Sequence, residues 1–259
     1  MSMTLVSGSG HGVAMPPGWR LVRFDTVDST NEQARRLAVG GAEHGTVVVA
    51  DVQTGGLGRR GRQWISPLGN LHCSIVVRPR RPVSEIAQLS LVTAVAVAEA
   101  LGDVAPGLPF RCKWPNDILC RGQKLCGILL ESDVNGVVVI GIGVDVNSAP
   151  REGMLYPTTS LQAEGGTAGV DAVLAAVCLR LSVWVERWTV DGMASVRDAW
   201  LNLAGGVGEL VAVRVSDERT ITGTLVGLDA DGALLLADGR EGQTHRIVVG
   251  DVLFERPRT

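Results

Sequence analysis

The stretch that decides the fold is GTVVVADVQTGGLGRRGRQWISPLGNLHCSIVV, residues 45–77. Its two ends, GTVVVAD and LHCSIVV, are continuous apolar runs typical of strands that are buried on both faces. Residues 54–64 between them, here called the glycine–arginine loop, carry Gly55, Gly56, Gly58, Gly61, Arg59, Arg60 and Arg62. Glycine exposes backbone amides and arginine offers planar donors to phosphate or carboxylate. The loop is therefore a candidate anion-binding loop, with a solvated basic loop and a nucleic-acid patch as alternatives.

The sequence on either side predicts alternating helices and strands. A strand is expected at Leu21–Phe24, and Ser29 or Thr30 is placed to cap the helix that follows. Ser84–Leu101 is apolar nearly all round and predicts a helix buried against the sheet. A hairpin over residues 110–132, a buried strand in GVVVIGIGVDV and an amphipathic helix from Val170 complete this part.

The pattern changes at the glycine-rich joint LAGGVGE, residues 203–209. Short strands then follow at even spacing, in ELVAVRV, TITGTLVGL, GALLLAD and RIVVGDV, which indicates a small β-barrel. We therefore predict an α+β protein with a disordered leader over residues 1–20, a mixed-sheet domain over 21–204 and a carboxy-terminal barrel over 205–259.

Composition narrows the class of protein. The net charge of −3 gives the whole chain no general attraction to nucleic acid, so we expect no nucleic-acid partner. The five cysteines form no C-x-x-C pair, which favours a reducing cytoplasm. No apolar run approaches the length of about 20 residues that a membrane span needs, and the amino-terminal segment lacks the features of a signal peptide. We therefore expect a cytoplasmic protein with no membrane partner.

A second cluster of polar residues lies in the predicted hairpin, in KWPND and KLCGIL. If the hairpin turns on Arg121–Gly122, Leu119 faces Lys124 and Asp117 faces Cys126, which places Asp117 and Lys124 on one side of the sheet. That pair would offer a carboxylate to Mg²⁺ and an ammonium to phosphate. A surface ion pair beside a proline turn is the alternative.

Taken together, these motifs resemble those of the biotin protein ligases. Ser29-Thr-Asn31, the loop ending at Trp64, KWPND, KLCGIL and GIGVDVN occur in the order found in that family, and the small carboxy-terminal barrel is similar to its SH3-like domain. The leader is too short for the winged-helix domain of the repressor-type members. The chain therefore resembles the single-function ligases.

The resemblance implies that biotin and MgATP form biotinyl-5′-AMP and that a lysine of a biotin carboxyl carrier domain then takes the biotin. Lys124, Arg59 and Lys113 are the implied catalytic residues. The implied biotin-binding residues are Ser29, Thr30, Asn31, Gln53, Gly56, Leu57, Gly58, Arg59, Lys124 and Gly127. The implied ATP-binding residues are Arg59, Arg60, Arg62, Trp64, Lys113, Asn116, Asp117, Lys124 and Asp145, with Asp117 serving Mg²⁺ through ATP.

Two departures from the family pattern stand in this chain. Leu57 occupies a position that is usually arginine, and Asp145 one that is commonly asparagine. The alternatives kept open are a lipoate or octanoate transferase of the same fold, and a protein that binds biotin or its adenylate with weak transfer. Whether the protein is a monomer or a homodimer is also left open.

Overall fold

The computed structural model of the chain describes residues 3–5, 12–132, 136–150, 153–154, 156–239 and 243–254. The described helices are α1 (Thr30–Val39), α2 (Leu89–Val104), α3 (Val170–Asp191) and α4 (Met193–Leu203). The first eight strands are β1 (Met3–Leu5), β2 (Arg20–Val27), β3 (Thr46–Gln53), β4 (Leu71–Val77), β5 (Phe110–Lys113), β6 (Asp117–Cys120), β7 (Gln123–Ser132) and β8 (Val138–Val144). Five further strands follow: β9 (Leu210–Arg214), β10 (Thr220–Leu228), β11 (Leu234–Ala237), β12 (Thr244–Ile247) and β13 (Asp251–Phe254).

The first eight strands form one mixed sheet in the order β1-β2-β3-β4-β8-β7-β6-β5. Strands β2 and β3 are parallel, with α1 as their crossover, and the other described pairs are antiparallel. The predicted α+β class with a mixed sheet is confirmed.

Both faces of this sheet are covered. On β3, Val47 and Val49 pack into the larger core with α2 and α3, whereas Val48 and Ala50 pack with α1. Side chains alternate between faces along a strand, so a strand covered on both sides needs apolar residues at every position. That requirement explains the uninterrupted VVVA run.

Helix α2 lies in the larger core. The predicted helix over Ser84–Leu101 divides into a 3₁₀ segment, Val83–Gln88, and α2 itself. By length and composition Val83–Val104 could cross a membrane, which corrects the statement that no run is long enough. The most apolar window of that stretch is 67% buried inside the fold, as in the core helix of a soluble protein.

The five remaining strands form a second, antiparallel sheet in the order β12-β11-β10-β9-β13. RIVVGDV, predicted as one strand, is divided between β12 and β13 by a bend at residues 248–250. Val213 and Val252 of this sheet belong to the same buried core as α2. The predicted domain boundary at 204/205 falls between α4 and β9.

The leader over residues 1–20 was predicted to be disordered, but the residues of it that the structure describes make contacts with the rest of the fold. Met3–Leu5 pair antiparallel with β2, and the Trp19 ring meets the ring of His44 edge to face. Residues 1–2 and 6–11 lie outside the described part of the chain.

Candidate active site

A cavity of about 420 Å³ opens between the mixed sheet, the glycine–arginine loop and the end of β13. It collects most of the site residues predicted from the sequence: Ser29, Thr30, Asn31, Gln53, Leu57, Gly58, Arg59, Arg62, Trp64, Asn116, Asp117, Lys124 and Gly127. Four predicted site residues are not part of its wall, namely Gly56, Arg60, Lys113 and Asp145. The fold therefore joins motifs that are up to about a hundred residues apart in sequence into one chamber.

One end of the cavity is a buried polar network. The backbone N–H of Thr30 donates to Gln53 Oε1 over 2.8 Å, and the Thr30 hydroxyl lies 3.0 Å from the same oxygen. Gln53 in turn donates to the hydroxyl of Ser66 over 2.9 Å. These bonds fix the orientation of the Gln53 amide, so a ligand meets a preset pattern of donors and acceptors.

The same network continues through Ser74, Asn31 and Glu131. The Ser74 hydroxyl lies 2.7 Å from the Thr30 hydroxyl and 2.5 Å from Asn31 Oδ1, and Asn31 Nδ2 donates to Glu131 Oε2 over 2.7 Å. Asn31 thus has both ends of its amide engaged by the protein. A Cβ on Gly141 would lie 2.3 Å from Asn31 Oδ1, so only glycine leaves room there.

Ser29 occupies the N-cap position of α1 but does not cap it with its side chain. Its backbone is extended, at φ −153° and ψ 138°, so the residue lies directly before the first turn of the helix. Its side chain lines the cavity. The Ser29 hydroxyl is thus a cavity-wall group, whereas the Thr30 hydroxyl is already part of the network.

The glycine–arginine loop folds as a short hairpin over the cavity. Leu57 bridges to Gln63, Gly58 N–H donates to the Arg62 carbonyl, and Trp64 N–H donates to the Gly56 carbonyl. Gly56 must be glycine because of its own loop: a Cβ there would lie 2.6 Å from the Trp64 carbonyl oxygen. Gly56 therefore shapes the loop, and its predicted backbone contact with biotin stays a prediction.

The indole of Trp64 lies against the sheet above two glycines. A Cβ on Gly127 would lie 2.9 Å from the ring, and one on Gly143 would lie 2.4 Å from it. The buried indole N–H finds no hydrogen-bond partner among the described residues. Trp64 thus forms a flat apolar wall in the middle of the cavity, between its polar end and its charged end.

The charged end is centred on Asp117, which is 4% exposed. Lys124 Nζ lies 2.6 Å from Asp117 Oδ1, Lys113 Nζ lies 3.6 Å from Oδ2, and the Tyr156 hydroxyl donates to Oδ2. Burial alone would raise the pKa of Asp117, but the charges of Lys124 and Lys113 and the hydrogen bonds lower it below its ordinary value. Burial lowers the pKa of Lys113 to about 8.

The hairpin register differs from the predicted one by a β-bulge. Leu119 faces Lys124 as expected, but the register shifts after that pair, so that Asp117 faces Gly127 and not Cys126. The Asp117–Lys124 contact is confirmed all the same. Ile118, not Asp117, lies opposite Cys126, which is buried in the core.

The charged end does not fit a magnesium ion held directly by the protein. Lys124 forms an ion pair with Oδ1, Oδ2 receives the Tyr156 hydroxyl and faces Lys113, and two ammonium groups beside a carboxylate repel a divalent cation. Among the described residues no group of three or more His, Cys, Asp or Glu side chains is arranged to hold a metal. Asp117 therefore functions here as an anchor for cations of the protein.

Asp145 lies behind the cavity wall and is 2% exposed. Burial raises its pKa to about 8, opposed only weakly by the charge of Lys124. Asn70 donates to Asp145 Oδ1 over 3.0 Å. The raised pKa favours the protonated form of Asp145, which is uncharged like the asparagine of the family pattern.

The arginines of the loop share one carboxylate of the second sheet. Asp251 lies 3.2 Å from Arg59, 3.7 Å from Arg60 and 2.7 Å from Arg62. Arg59 also donates to Asn116 Oδ1 over 3.2 Å. Burial alone would raise the pKa of Asp251, but Arg62, Arg59 and Arg60 lower it below its ordinary value. The carboxy-terminal sheet thus supplies part of the cavity wall.

Several residues of this site were not predicted from the sequence, among them the polar residues Ser66, Ser74, Glu131, Tyr156 and Asp251. Ser74 could have been suspected, because it is a polar residue in an otherwise apolar buried strand. Tyr156 and Asp251 carry no local signal, since each lies in a segment that matches no motif and reaches the cavity only through the fold.

Comparison with known proteins matches this arrangement. A family model described as the biotin/lipoate A/B protein ligase family matches residues 23–147. A second, described as the biotin protein ligase C terminal domain, matches residues 207–254. The fold and the cavity thus define a ligase of the biotin and lipoate class.

Individual relatives narrow the class further. A biotin–[acetyl-CoA-carboxylase] ligase of Paracoccus denitrificans is 38% identical, covering 81% of this chain and 90% of its own length. A ligase of the same name from Mycobacterium tuberculosis is 31% identical, covering 92% and 91% respectively. A structure of the Aquifex aeolicus biotin protein ligase in complex with biotin and ATP superposes with a TM-score of 0.79 at 31% identity, covering 91% of this chain and 98% of that one. The chain belongs to the biotin protein ligase family.

Proposed function

We propose that this chain is an ATP-dependent biotin protein ligase that forms biotinyl-5′-AMP and transfers the biotin to a lysine of a biotin carboxyl carrier domain. One observation carries the proposal: Lys124 lies in the same cavity as the polar network, separated from it by the flat wall of Trp64. Such a chamber suits a ligand with a polar head, an apolar middle and a carboxylate tail.

The polar end favours biotin over a plain acyl chain. Thr30, Gln53 and Ser29 offer donors and acceptors that the ureido group of biotin can satisfy. The end of an octanoyl or lipoyl chain would cover these groups without hydrogen bonds, which costs free energy for every polar atom left unpaired. The network therefore discriminates against the lipoate or octanoate alternative.

The first chemical step joins two anions. A carboxylate oxygen of biotin attacks the α-phosphorus of ATP, the new O–P bond forms, and pyrophosphate leaves with the electrons of the broken P–O bond. Lys124 supplies a cation at the cavity's charged end, and Arg59 and Arg62 add guanidinium groups above it. Positioned cations that offset the repulsion are the main contribution a protein makes to such a step.

The second step transfers the acyl group. The ε-amine of the carrier lysine attacks the carbonyl carbon of the mixed anhydride, the N–C bond forms, AMP leaves and the amine loses a proton. The glycine–arginine loop covers the intermediate before transfer, which excludes water from the anhydride. Leu57, 53% exposed on this loop, borders the opening through which the carrier lysine would enter.

We place this reaction in the cytoplasm, in keeping with five cysteines that are all buried free thiols. Magnesium belongs to the proposal only as the counterion that ATP carries, since Asp117 is occupied by other partners. Supplying Mg²⁺ with ATP is standard for such a reaction, and no residue is assigned to the ion.

The test is the intact mass of a purified biotin acceptor domain after incubation with this protein and MgATP. Biotin, lipoate and octanoate are offered in separate tubes. A mass gain of one biotin, and none with the other two acids, is the expected result.

Lys124→Ala should lose about a thousandfold in rate, since it removes the cation at the bond-forming centre. Arg20→Ala, which removes a cation that is 77% exposed, is the matched control and should keep wild-type activity. Labelling by lipoate, or undiminished labelling by Lys124→Ala, would refute the proposal. Adenylate held on the protein without any transfer would support the weakly transferring binding protein.

A further inference from the structure

Tyr156 is the only tyrosine in the chain, and it contacts both of the chain's only two lysines. Lys113 Nζ lies 3.5 Å above the centre of its ring, and Lys124 Nζ lies 5.7 Å from it. The Tyr156 hydroxyl donates to Asp117 Oδ2. One side chain on a connection between the sheet and α3 thus lies beside Asp117 and both lysines.

The three partners divide the oxygens of Asp117 between them. Lys124 takes Oδ1 at 2.6 Å, whereas Oδ2 receives the Tyr156 hydroxyl and the longer contact from Lys113 at 3.6 Å. A carboxylate with one strong ammonium partner can rotate and share that partner between both oxygens. The hydroxyl bond to Oδ2 removes this freedom and leaves Oδ1 as the site for Lys124.

The ring contact serves the other lysine. Lys113 is 3% exposed, so its ammonium has almost no water and depends on the protein for compensation. The charge of Asp117 stabilises this ammonium over 3.6 Å, and the ring face of Tyr156 adds a close attraction for the cation. Tyr156 therefore gives Lys113 a place against its ring face, while Lys124 pairs with the other oxygen of Asp117.

We propose that Tyr156 is a positioning residue for adenylation: its hydroxyl orients Asp117 so that Lys124 is aimed into the cavity, and its ring holds Lys113 as a buried ammonium. This inference rests on the proposed ligase function and adds a residue to it.

Two variants separate the two contacts. Tyr156→Phe removes the hydroxyl bond and keeps the ring, whereas Tyr156→Leu removes both. We expect Tyr156→Phe to lower kcat of biotin-dependent pyrophosphate exchange about tenfold, with KM for biotin changed less than about twofold, because the loss concerns the transition state. We expect Tyr156→Leu to lose about a further tenfold in kcat/KM for ATP. Transfer from supplied biotinyl-5′-AMP to the acceptor domain should stay within about twofold of wild type in both variants.

A second readout follows the lysines directly. Because the chain has only two, trace acetylation with a limiting amine-reactive acetyl ester, followed by peptide mass analysis, reports the reactivity of each one separately. Lys113 should be acetylated at the wild-type rate in Tyr156→Phe and at least about fivefold faster in Tyr156→Leu, which lacks the aromatic face. A purely structural role for Tyr156 would change both variants alike.

The outcomes are distinguishable. Wild-type rates of pyrophosphate exchange in Tyr156→Phe, or equal acetylation of Lys113 in the two variants, would overturn the inference. Absence of pyrophosphate exchange in the wild type would overturn the ligase function instead, while the acetylation pattern would still decide the geometry. If Tyr156→Leu fails to fold, the kcat-against-KM result for Tyr156→Phe decides alone.

Discussion

Asp251 of β13 and Arg62 of the glycine–arginine loop, 189 residues apart in sequence, form an ion pair of 2.7 Å that joins the second sheet to the cavity. The same carboxylate is shared by Arg59 and Arg60. The loop that is proposed to hold phosphate is therefore held, in this structure, by a carboxylate of the carboxy-terminal sheet. A carboxylate that holds several guanidinium groups close together positions them to bind a phosphate group, because both groups are anions.

Removing this carboxylate should loosen the loop. In Asp251→Asn the three arginines lose their shared anion, and trypsin should cut the ligand-free protein between residues 59 and 63 about tenfold faster, because local opening costs less. The cleavage products are identified by mass. Asp231→Asn, which removes an exposed carboxylate of the same sheet, is the control. Equal cleavage of the two variants would show that Asp251 does not restrain the loop.

The wall formed by Trp64 should not tolerate a methyl group beneath it. A Cβ on Gly143 would lie 2.4 Å from the indole, so Gly143→Ala must displace the ring. We expect KM for biotin in pyrophosphate exchange to rise about tenfold or more, since overpacked contacts force side chains to move. Gly102→Ala in α2 meets no atom within 4 Å and should leave KM unchanged. An unchanged KM in Gly143→Ala would contradict the position of Trp64.

Asp145 should make stability depend on pH. Its pKa is raised to about 8 in the folded protein from an ordinary value near 3.8, so the folded state keeps a proton that the unfolded chain releases. The contribution to stability is complete below about pH 4 and is lost as pH rises towards 8. Asp145→Asn removes this loss, and its free energy of unfolding should exceed that of wild type by several kcal/mol near pH 8, since each pKa unit corresponds to about 1.4 kcal/mol.

Denaturant unfolding of both proteins at pH 4.5 and at pH 8 tests this. The difference between them should shrink towards zero at the lower pH. Asp25→Asn, at an exposed position of β2, is the control and should show no such trend. A difference that is constant with pH would mean that Asp145 is ionised in the folded state.

Lys113 should give adenylation an alkaline limit. Burial lowers its pKa to about 8, so the ammonium that supports the charged end is progressively lost above that pH. We expect kcat/KM for ATP in pyrophosphate exchange to fall about fivefold or more between pH 7 and pH 9. Lys113→Arg keeps a permanent cation and should flatten this profile, even if its maximum is lower. A profile identical to that of wild type would assign the alkaline limit to another group.

Much of the fold followed from local patterns. The buried runs of β3 and β4, the apolar α2 and the even spacing of the carboxy-terminal strands were predicted because periodicity and turn residues are local properties. The α+β class and the family resemblance are confirmed. The proposed roles of the individual site residues stay predictions until the experiments above are done.

The errors have a common physical origin. The bulge opposite Ile118 and Leu119 changed the partner of Asp117, because one extra residue in a strand is not visible in its composition. Gly56, predicted to line the tail of biotin with its backbone, is not part of the cavity wall, and its lack of a side chain is required by the Trp64 carbonyl. In both cases the contact joins two separate chain segments. The sequence pattern does not show how these segments lie relative to each other.

The sequence by itself determined which segments are buried, because burial on two faces demands uninterrupted apolar residues, and it determined the chemistry of the motifs, because glycine, arginine and lysine have fixed capacities. Only the tertiary structure decided that Asp251 and Tyr156 belong to the cavity. Their contacts depend on strand order, on the position of the second sheet and on one bulge. Such long-range contacts arise from packing the whole chain, and no local pattern encodes them.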